Sequence, residues 1–311
     1  MSVTPSAAPP VPVTRSLGPL AALSVVLIWA SWLISTRHSV GGTLTPLDLS
    51  LLRYGLPAIV LAPFWLKIGL WPKGVSKPLL AAMVVGSGAP FFQVAAYGMQ
   101  STPASAAGVL LPGTMPLATA LIGIAFFGER PDRMRKLGMV AILCGGLMLL
   151  IDGLGDGGLG WRSFVILPFG ATLWAIYTHA FRQSGLSPFA GGGLIAAWST
   201  ILNLAALPFV GSGFAETALP ELGLQLVTQG LLSGLAATLL YGIAVRALGG
   251  TQAAAYTAIT PVAAAIGGAY LPGEGLGVLT MTAAVLTGLG VLLSTGLLSR
   301  RPDAMKKARP V

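Results

Sequence analysis

Arg53, set in the apolar run 51-LLRYGLPAIVL-61, is the side chain of this 311-residue sequence least at home in its surroundings. An arginine well inside a membrane-spanning helix costs about 2.5–3.5 kcal/mol on insertion scales unless it is paired or hydrated. It must point toward water, a carboxylate or a carbonyl. Two roles are open to it: an anchor for an anionic group such as an amino-acid carboxylate, or a bond to a helix end or to Asp48. Asp48 lies five residues earlier, which is not an ideal helical pair spacing. Trp29 and Trp174 sit near the middle of apolar runs, and Tyr177 follows Trp174 by three residues, on the same helix face. Tyr97 and Tyr241 each precede a glycine, and Tyr256 lies a turn before Thr260-Pro261. Such rings either line a cavity or pack as core. Gln93, Asn203 and Gln252 offer hydrogen bonds to a bound amine or carboxylate, or serve as interhelical glue. The expected site is one central cavity lined by Trp29, Gln93, Tyr97, Trp174, Tyr177, Tyr241 and Tyr256, with Arg53 joining them. Rings would grip an apolar body while hydroxyls, amides and the guanidinium hold its polar ends.

Other chemistries find little support. His38 and His179 have no Cys, Asp or Glu at metal-ligand spacing, so neither zinc nor a nucleophilic site is expected. The lone Cys144 reads as a small apolar filler. Residues 153-GLGDGG-158 satisfy G-x-G-x-x-G but lack a preceding strand, and no Walker lysine occurs, so no cofactor is expected. All nine acidic residues fall at or beyond the ends of apolar stretches. No carboxylate stands mid-membrane to bind a coupling ion, and His179 is the titratable group nearest neutrality. Facilitated export is then the simplest mechanism, with exchange close behind. No catalytic His/Asp/Glu group marks an enzyme, and there is no room for a sensor's output domain.

The elements that carry these residues follow from composition. With 54% hydrophobic and 9% charged residues and a mean hydropathy of +0.82, the chain cannot cover a soluble globule with polar groups. About 20 apolar residues cross the hydrocarbon, and ten stretches qualify: 17–36, 47–66, 79–99, 104–127, 137–152, 161–182, 188–210, 222–245, 251–271 and 277–298. Runs such as 231-LLSGLAATLLYGIAV-245 show no strand alternation, which excludes a β-barrel. The expected fold class is an all-α integral membrane protein. With a cytoplasmic N-terminus, 15 of the 18 basic residues fall inside, leaving Arg37, Arg53 and Arg162. Both termini are therefore expected in the cytoplasm. The Pro/Ser/Ala-rich residues 1–16 read as a disordered cytoplasmic lead, and 299–311 as a basic tail. The tail lacks interleaved aromatics, so no nucleic acid is expected; the partners are membrane lipids and a small-molecule substrate, with the chain a monomer.

Two frames, 116-PLATALIGIAFFGE-129 and 261-PVAAAIGGAYLPGE-274, share Pro-x11-Gly-Glu on one diagonal. On that diagonal Trp29 falls on Trp174, Arg37 on Arg182, and Gly145 on Gly290. The chain thus divides into repeats 17–152 and 162–298 joined by a linker, 153–161. Each repeat holds five spans, an odd number, so the two must be inverted about an axis in the membrane plane. Inverted repeats are a secondary-transporter architecture.

These motifs resemble the drug/metabolite transporter superfamily in its ten-helix, EamA-like branch. The carrying residues are 28-IWASW-32, 173-LWAIY-177, 51-LLRYGLPAIVL-61 and the two Pro-x11-Gly-Glu frames. The overall look is similar to the bacterial aromatic amino-acid exporters. The resemblance implies a protein of the bacterial inner membrane that exports amino acids, apolar or aromatic ones preferred, or related metabolites by alternating access. Multidrug or other metabolite export is the alternative. Arg53 matches the family's second-span arginine, but its mate at position 198 is Trp, so the feature is not duplicated.

Overall fold

The computed structural model describes residues 17–156, 160–248, 250–271 and 274–297. The lead 1–16, residues 157–159 of the linker, Pro272-Gly273 of the second frame and the tail from 298 onward lie outside the described residues. In chain order the helices are α1 (Leu17–Ser39), α2 (Pro46–Val60), α3 (Ala62–Ile68), α4 (Lys77–Ser87), α5 (Ala89–Met99), α6 (Ala104–Leu110), α7 (Met115–Phe127) and α8 (Arg133–Asp156). They continue with α9 (Trp161–Ser184), α10 (Pro188–Val210), α11 (Leu219–Gln225), α12 (Ala237–Leu248), α13 (Gly250–Tyr256), α14 (Thr260–Gly268) and α15 (Val278–Ser294). A π-helical stretch, Leu226–Ala236, joins α11 to α12, and a 3₁₀ turn, Thr257–Ile259, joins α13 to α14. No strand occurs among the described residues.

Among the described residues seven helical runs are long and apolar enough to cross a membrane, namely α1, α4–α5, α6–α7, α8, α9, α10 and α11–α12, and eight if α2 and α3 form one bent span. The remaining two of the ten expected spans take other forms. Residues 250–268 are divided among α13, the 3₁₀ turn and α14, and α15 has 17 residues, short of a full crossing. The chain is a multi-pass, all-helical membrane protein.

Proline chemistry explains the breaks. α2 and α3 meet at a 75° bend at Leu61. Pro63 lacks an N–H and its ring would collide with the carbonyl four residues back, so the helix cannot run straight through. The Ala58 carbonyl near the bend accepts a 2.8 Å bond from Trp65 Nε1. Pro90 acts likewise between α4 and α5, and there the loose backbone groups are taken up by neighbours. Ala89 N–H donates to Ser199 Oγ at 2.9 Å, and Tyr54 Oη donates to the Ser87 carbonyl at 2.8 Å. Such repair is what lipid demands, since no water is present to solvate a freed amide. Pro112 and Pro116 flank the turn between α6 and α7, whereas α9 continues through Pro168.

Small residues set the closest helix contacts. A Cβ built on Gly138 of α8 would lie 2.5 Å from the Gly290 carbonyl oxygen of α15, and one on Gly290 would lie 2.7 Å from that of Gly138. In the α8/α15 pair, α8 exposes Leu137, Val140, Leu143, Leu147 and Ile151 at helical spacing, a stripe suited to lipid. The core is centred elsewhere, on Leu33, Leu49, Met83, Phe91, Phe92, Met99 and Leu110. It joins α1, α2, α4, α5 and α6 into the scaffold of the cavity.

Candidate functional site

A cavity of about 700 Å³ enters the bundle from one end and stops near its middle. Its floor is aromatic. Trp29, Trp32 and Leu33 come from α1, Arg53 from α2, Phe91 from α5, Trp174 from α9 and Tyr241 from α12. The walls are Met115, Thr119 and Ala120 of α7, Thr178 and His179 of α9, and Thr257 and Thr260. At the mouth stand Glu129, Arg130, Arg135, Arg182 and Ser294.

Arg53 dominates the floor. Its residue surface is only 9% exposed, and its guanidinium carbon lies 4.7 Å from the centre of the Trp32 ring and 5.8 Å from that of Phe92. Stacking on aromatic faces stabilises such a cation by roughly 0.5–2 kcal/mol, more as water is excluded. The Tyr54 ring centre lies 5.9 Å from the guanidinium carbon, and Nη1 has no hydrogen-bond partner among the described residues. The alternative partner weighed for it, Asp48, is occupied elsewhere. That carboxylate caps α2 through Thr45 and accepts from Ser212 Oγ at 2.6 Å and Gly213 N–H at 2.9 Å.

The rings around Arg53 are in mutual contact. Trp29 and Tyr241 have centroids 6.0 Å apart, and Phe91 and Trp174 5.4 Å apart. His179 stacks on Phe127 at 4.7 Å, and its Nε2 lies 3.1 Å from the Thr119 carbonyl oxygen, where an Nε2–H tautomer donates.

The end of the bundle opposite the mouth is closed by polar contacts. Arg37 Nε donates to Glu274 Oε1 at 2.7 Å, and Arg37 Nη1 donates to the carbonyls of Met99 and Gln100 at 3.0 and 2.9 Å. Glu274 Oε2 in turn accepts from Ala104 N–H at 2.8 Å. Ser39 donates to Glu221, Gln225 Nε2 donates to Ser39 Oγ at 2.7 Å, and Gln229 Nε2 donates to Thr36 Oγ1 at 2.9 Å. At the mouth a second Arg–Glu pair is loose: Arg182 Nη1 and Glu129 Oε1 are 4.0 Å apart, with side chains 69% and 43% exposed.

Of the eight expected site residues, Trp29, Arg53, Trp174 and Tyr241 line the cavity. Tyr177 stands behind the wall, edge-on to Trp174 at 5.1 Å and next to Phe181. Tyr256 packs with Ala21, Ala22, Ala244 and Ala253. Gln93 and Tyr97 are turned away altogether. They line a separate shallow groove with Pro46, Ile166 and Phe169, where Tyr97 is 53% exposed and Gln93 Nε2 donates to the Pro46 carbonyl at 3.3 Å. Helix periodicity supplies the reason. Phe91 is the residue of α5 that faces the cavity, and at about 100° per residue positions 93 and 97 fall on the far side. Asn203 serves as glue, donating to Ser50 Oγ at 2.8 Å, and Gln252 is exposed. Trp32, Phe91, Thr178 and Thr260 went unrecognised.

Residues 16–151 match the model of the EamA-like transporter family. No curated protein matches. The crystal structure of another protein is similar over 91% of this chain and 97% of its own, with a TM-score of 0.62 and 19% identity. That likeness shows a shared fold. The family match is confined to the first part of the chain, which is similar to the EamA-like transporters over residues 16–151.

Proposed function

We propose that this protein is a secondary transporter that exports small metabolites with an apolar or aromatic body, apolar and aromatic amino acids among them, by alternating access. The carrying observation is the one-ended cavity: aromatic faces around a buried cation, open at the Glu129–Arg135 end and sealed at the Arg37–Glu274 end. Positive-inside bias makes the open end cytoplasmic, since Arg130, Arg133, Arg135 and Lys136 cluster there. The cavity then faces the compartment from which an exporter loads.

The two ends also support the inverted-repeat reading. Arg37 and Arg182 are mates on the repeat diagonal, as are Glu129 and Glu274. Each end of the bundle thus carries one Arg–Glu pair, built from one mate of each kind, and the pairs differ in closure, 2.7 Å against 4.0 Å. A carrier that exchanged these two states would open its cavity to one side at a time. The ten-span plan, a bacterial inner-membrane location and cytoplasmic termini belong to the same reading.

Uptake into proteoliposomes tests it. Inside-out vesicles should accumulate labelled aromatic or aliphatic amino acids or a related metabolite down its gradient, and protein-free vesicles should not. No movement of any member of a broad panel would overturn the proposal. Cationic-drug export is the poorer alternative, because the described cavity lining holds four arginines and one glutamate.

A further inference from the structure

We infer that the cavity holds a carboxylate-binding site built from Arg53 and Trp32 on its floor and Thr260 on its wall, and that its preferred ligand is an apolar or aromatic monoanion with no neighbouring ammonium. Six buried side-chain polar atoms lack a hydrogen-bond partner among the described residues, and three of them belong to residues lining this one cavity: Arg53 Nη1, Trp32 Nε1 and Thr260 Oγ1. Their residues are 9%, 5% and 1% exposed. A buried donor left without an acceptor is unfavourable, more so when charged, so the site is poised for a ligand that supplies the acceptor. Arg53 and Trp32 can only donate hydrogen bonds, and the guanidinium lies 4.7 Å from the indole ring. Two donor-only side chains lining one cavity suit an oxyanion.

Charge sharpens the class. In an α-amino acid whose carboxylate met Arg53, the ammonium would lie on the order of 5 Å from the guanidinium, close enough for strong like-charge repulsion in a site of low dielectric. It would need a carboxylate of its own. The one acidic residue among the described lining is Glu129, at the mouth beside Arg182. A carboxylic acid of the same shape without the ammonium makes the same contacts and avoids the repulsion, while Trp29, Phe91 and Trp174 take its apolar body. The transport reading enters only in calling this ligand a cargo.

Three probes share one aryl body and differ in charge: 3-phenylpropionate, phenylalanine and phenethylamine. Binding to the purified full chain in detergent, followed by calorimetry at neutral pH, should favour 3-phenylpropionate by about tenfold or more. Trp32→Phe keeps the ring and removes the donor, and Thr260→Val keeps the shape and removes the hydroxyl. Each should weaken that probe several-fold and leave phenethylamine unaltered. Arg53→Gln should abolish the preference, and Arg53→Lys, which keeps charge but loses the planar fork, should restore it only in part. Equal or tighter binding of phenylalanine or phenethylamine overturns the inference, as does no binding of any probe or unaltered binding in Trp32→Phe and Thr260→Val. Counterflow in proteoliposomes separates the two readings. A carboxylate that binds yet never crosses sinks the transporter and spares the site; phenylalanine carried in preference to 3-phenylpropionate does the reverse.

Discussion

Arg37 and Glu274 stand 237 residues apart in sequence and 2.7 Å apart in space, and together they gather the backbone of residues 99, 100 and 104 into one knot. Glu274 is the buried partner, its side chain 7% exposed against 27% for Arg37. An isolated exposed ion pair stabilises little, about 0–1 kcal/mol. This one also satisfies two carbonyls and an amide at helix ends, so its removal loosens α1, α5, α6 and the segment after α14 at once.

Glu274→Gln should therefore open the closed end more often. Ser105 lies one residue beyond Ala104 and is 3% exposed, so a cysteine there reports on that opening. In a Cys144→Ala background, Ser105→Cys should react slowly with a membrane-impermeant maleimide. Adding Glu274→Gln should speed the reaction about tenfold, the equivalent of ~1.4 kcal/mol of lost closure. An unchanged rate would mean that the pair does not hold this end shut.

Trp174 and Tyr97 should respond oppositely to truncation. Trp174 faces the cavity and touches Phe91, whereas Tyr97 looks into a shallow groove on another face. Trp174→Ala should lower transport at least tenfold with the detergent-purified protein still monodisperse, because it removes a ring that buries roughly 150–250 Å². Tyr97→Ala should transport at close to the unaltered rate. The reverse pattern would place the path on the Tyr97 side of α5.

Sequence was most informative where physical necessity was strongest. The cost of Arg53 in hydrocarbon demanded an inward orientation, and it is found on the cavity floor beneath aromatic rings. Apolar length located α1, α8, α9 and α10 to within a turn or so. It did not resolve the ninth stretch, because Thr260-Pro261 interrupts hydrogen bonding and Gly267-Gly268 permits an early stop, so composition promised a length that the backbone does not keep. Rotation about the helix axis was the weakest reading. α5 carries Phe91, Gln93 and Tyr97 within seven residues, and with large or polar groups on both sides nothing in the string says which side meets the cavity. Tyr177 shows the same ambiguity, for a three-residue step from Trp174 shifts it by about 60°, enough to put it behind the wall.

The charge bias makes topology directly testable. Reporters fused after Arg133 and after Arg309 should both read cytoplasmic, and one placed in 153–160 should read external. α8 begins at Arg133 beside the basic mouth and ends at Asp156, so its far end lies opposite that mouth. A cytoplasmic signal from it would turn the cavity mouth outward or break the odd-numbered first half, and export from an inward-facing site would fail either way.

The α8/α15 contact predicts opposite signs for two substitutions of the same kind. A Cβ at Gly290 would press to 2.7 Å from the Gly138 carbonyl oxygen and 2.8 Å from Ile142, so the two backbones must separate to admit a methyl group. In lipid, helix association draws chiefly on close packing, and overpacking costs about 1–3 kcal/mol. Gly146, on the same α8, has nothing within 4 Å of a built Cβ. There, alanine should only shed glycine's unfavourable helix propensity and stabilise by about 0.5–1 kcal/mol. Gly290→Ala should accordingly lower the temperature at which the detergent-solubilised protein loses monodispersity, and Gly146→Ala should leave it equal or raise it. If both raise it, the glycines act through helix propensity alone and the reciprocal backbone contact is not what holds α8 to α15.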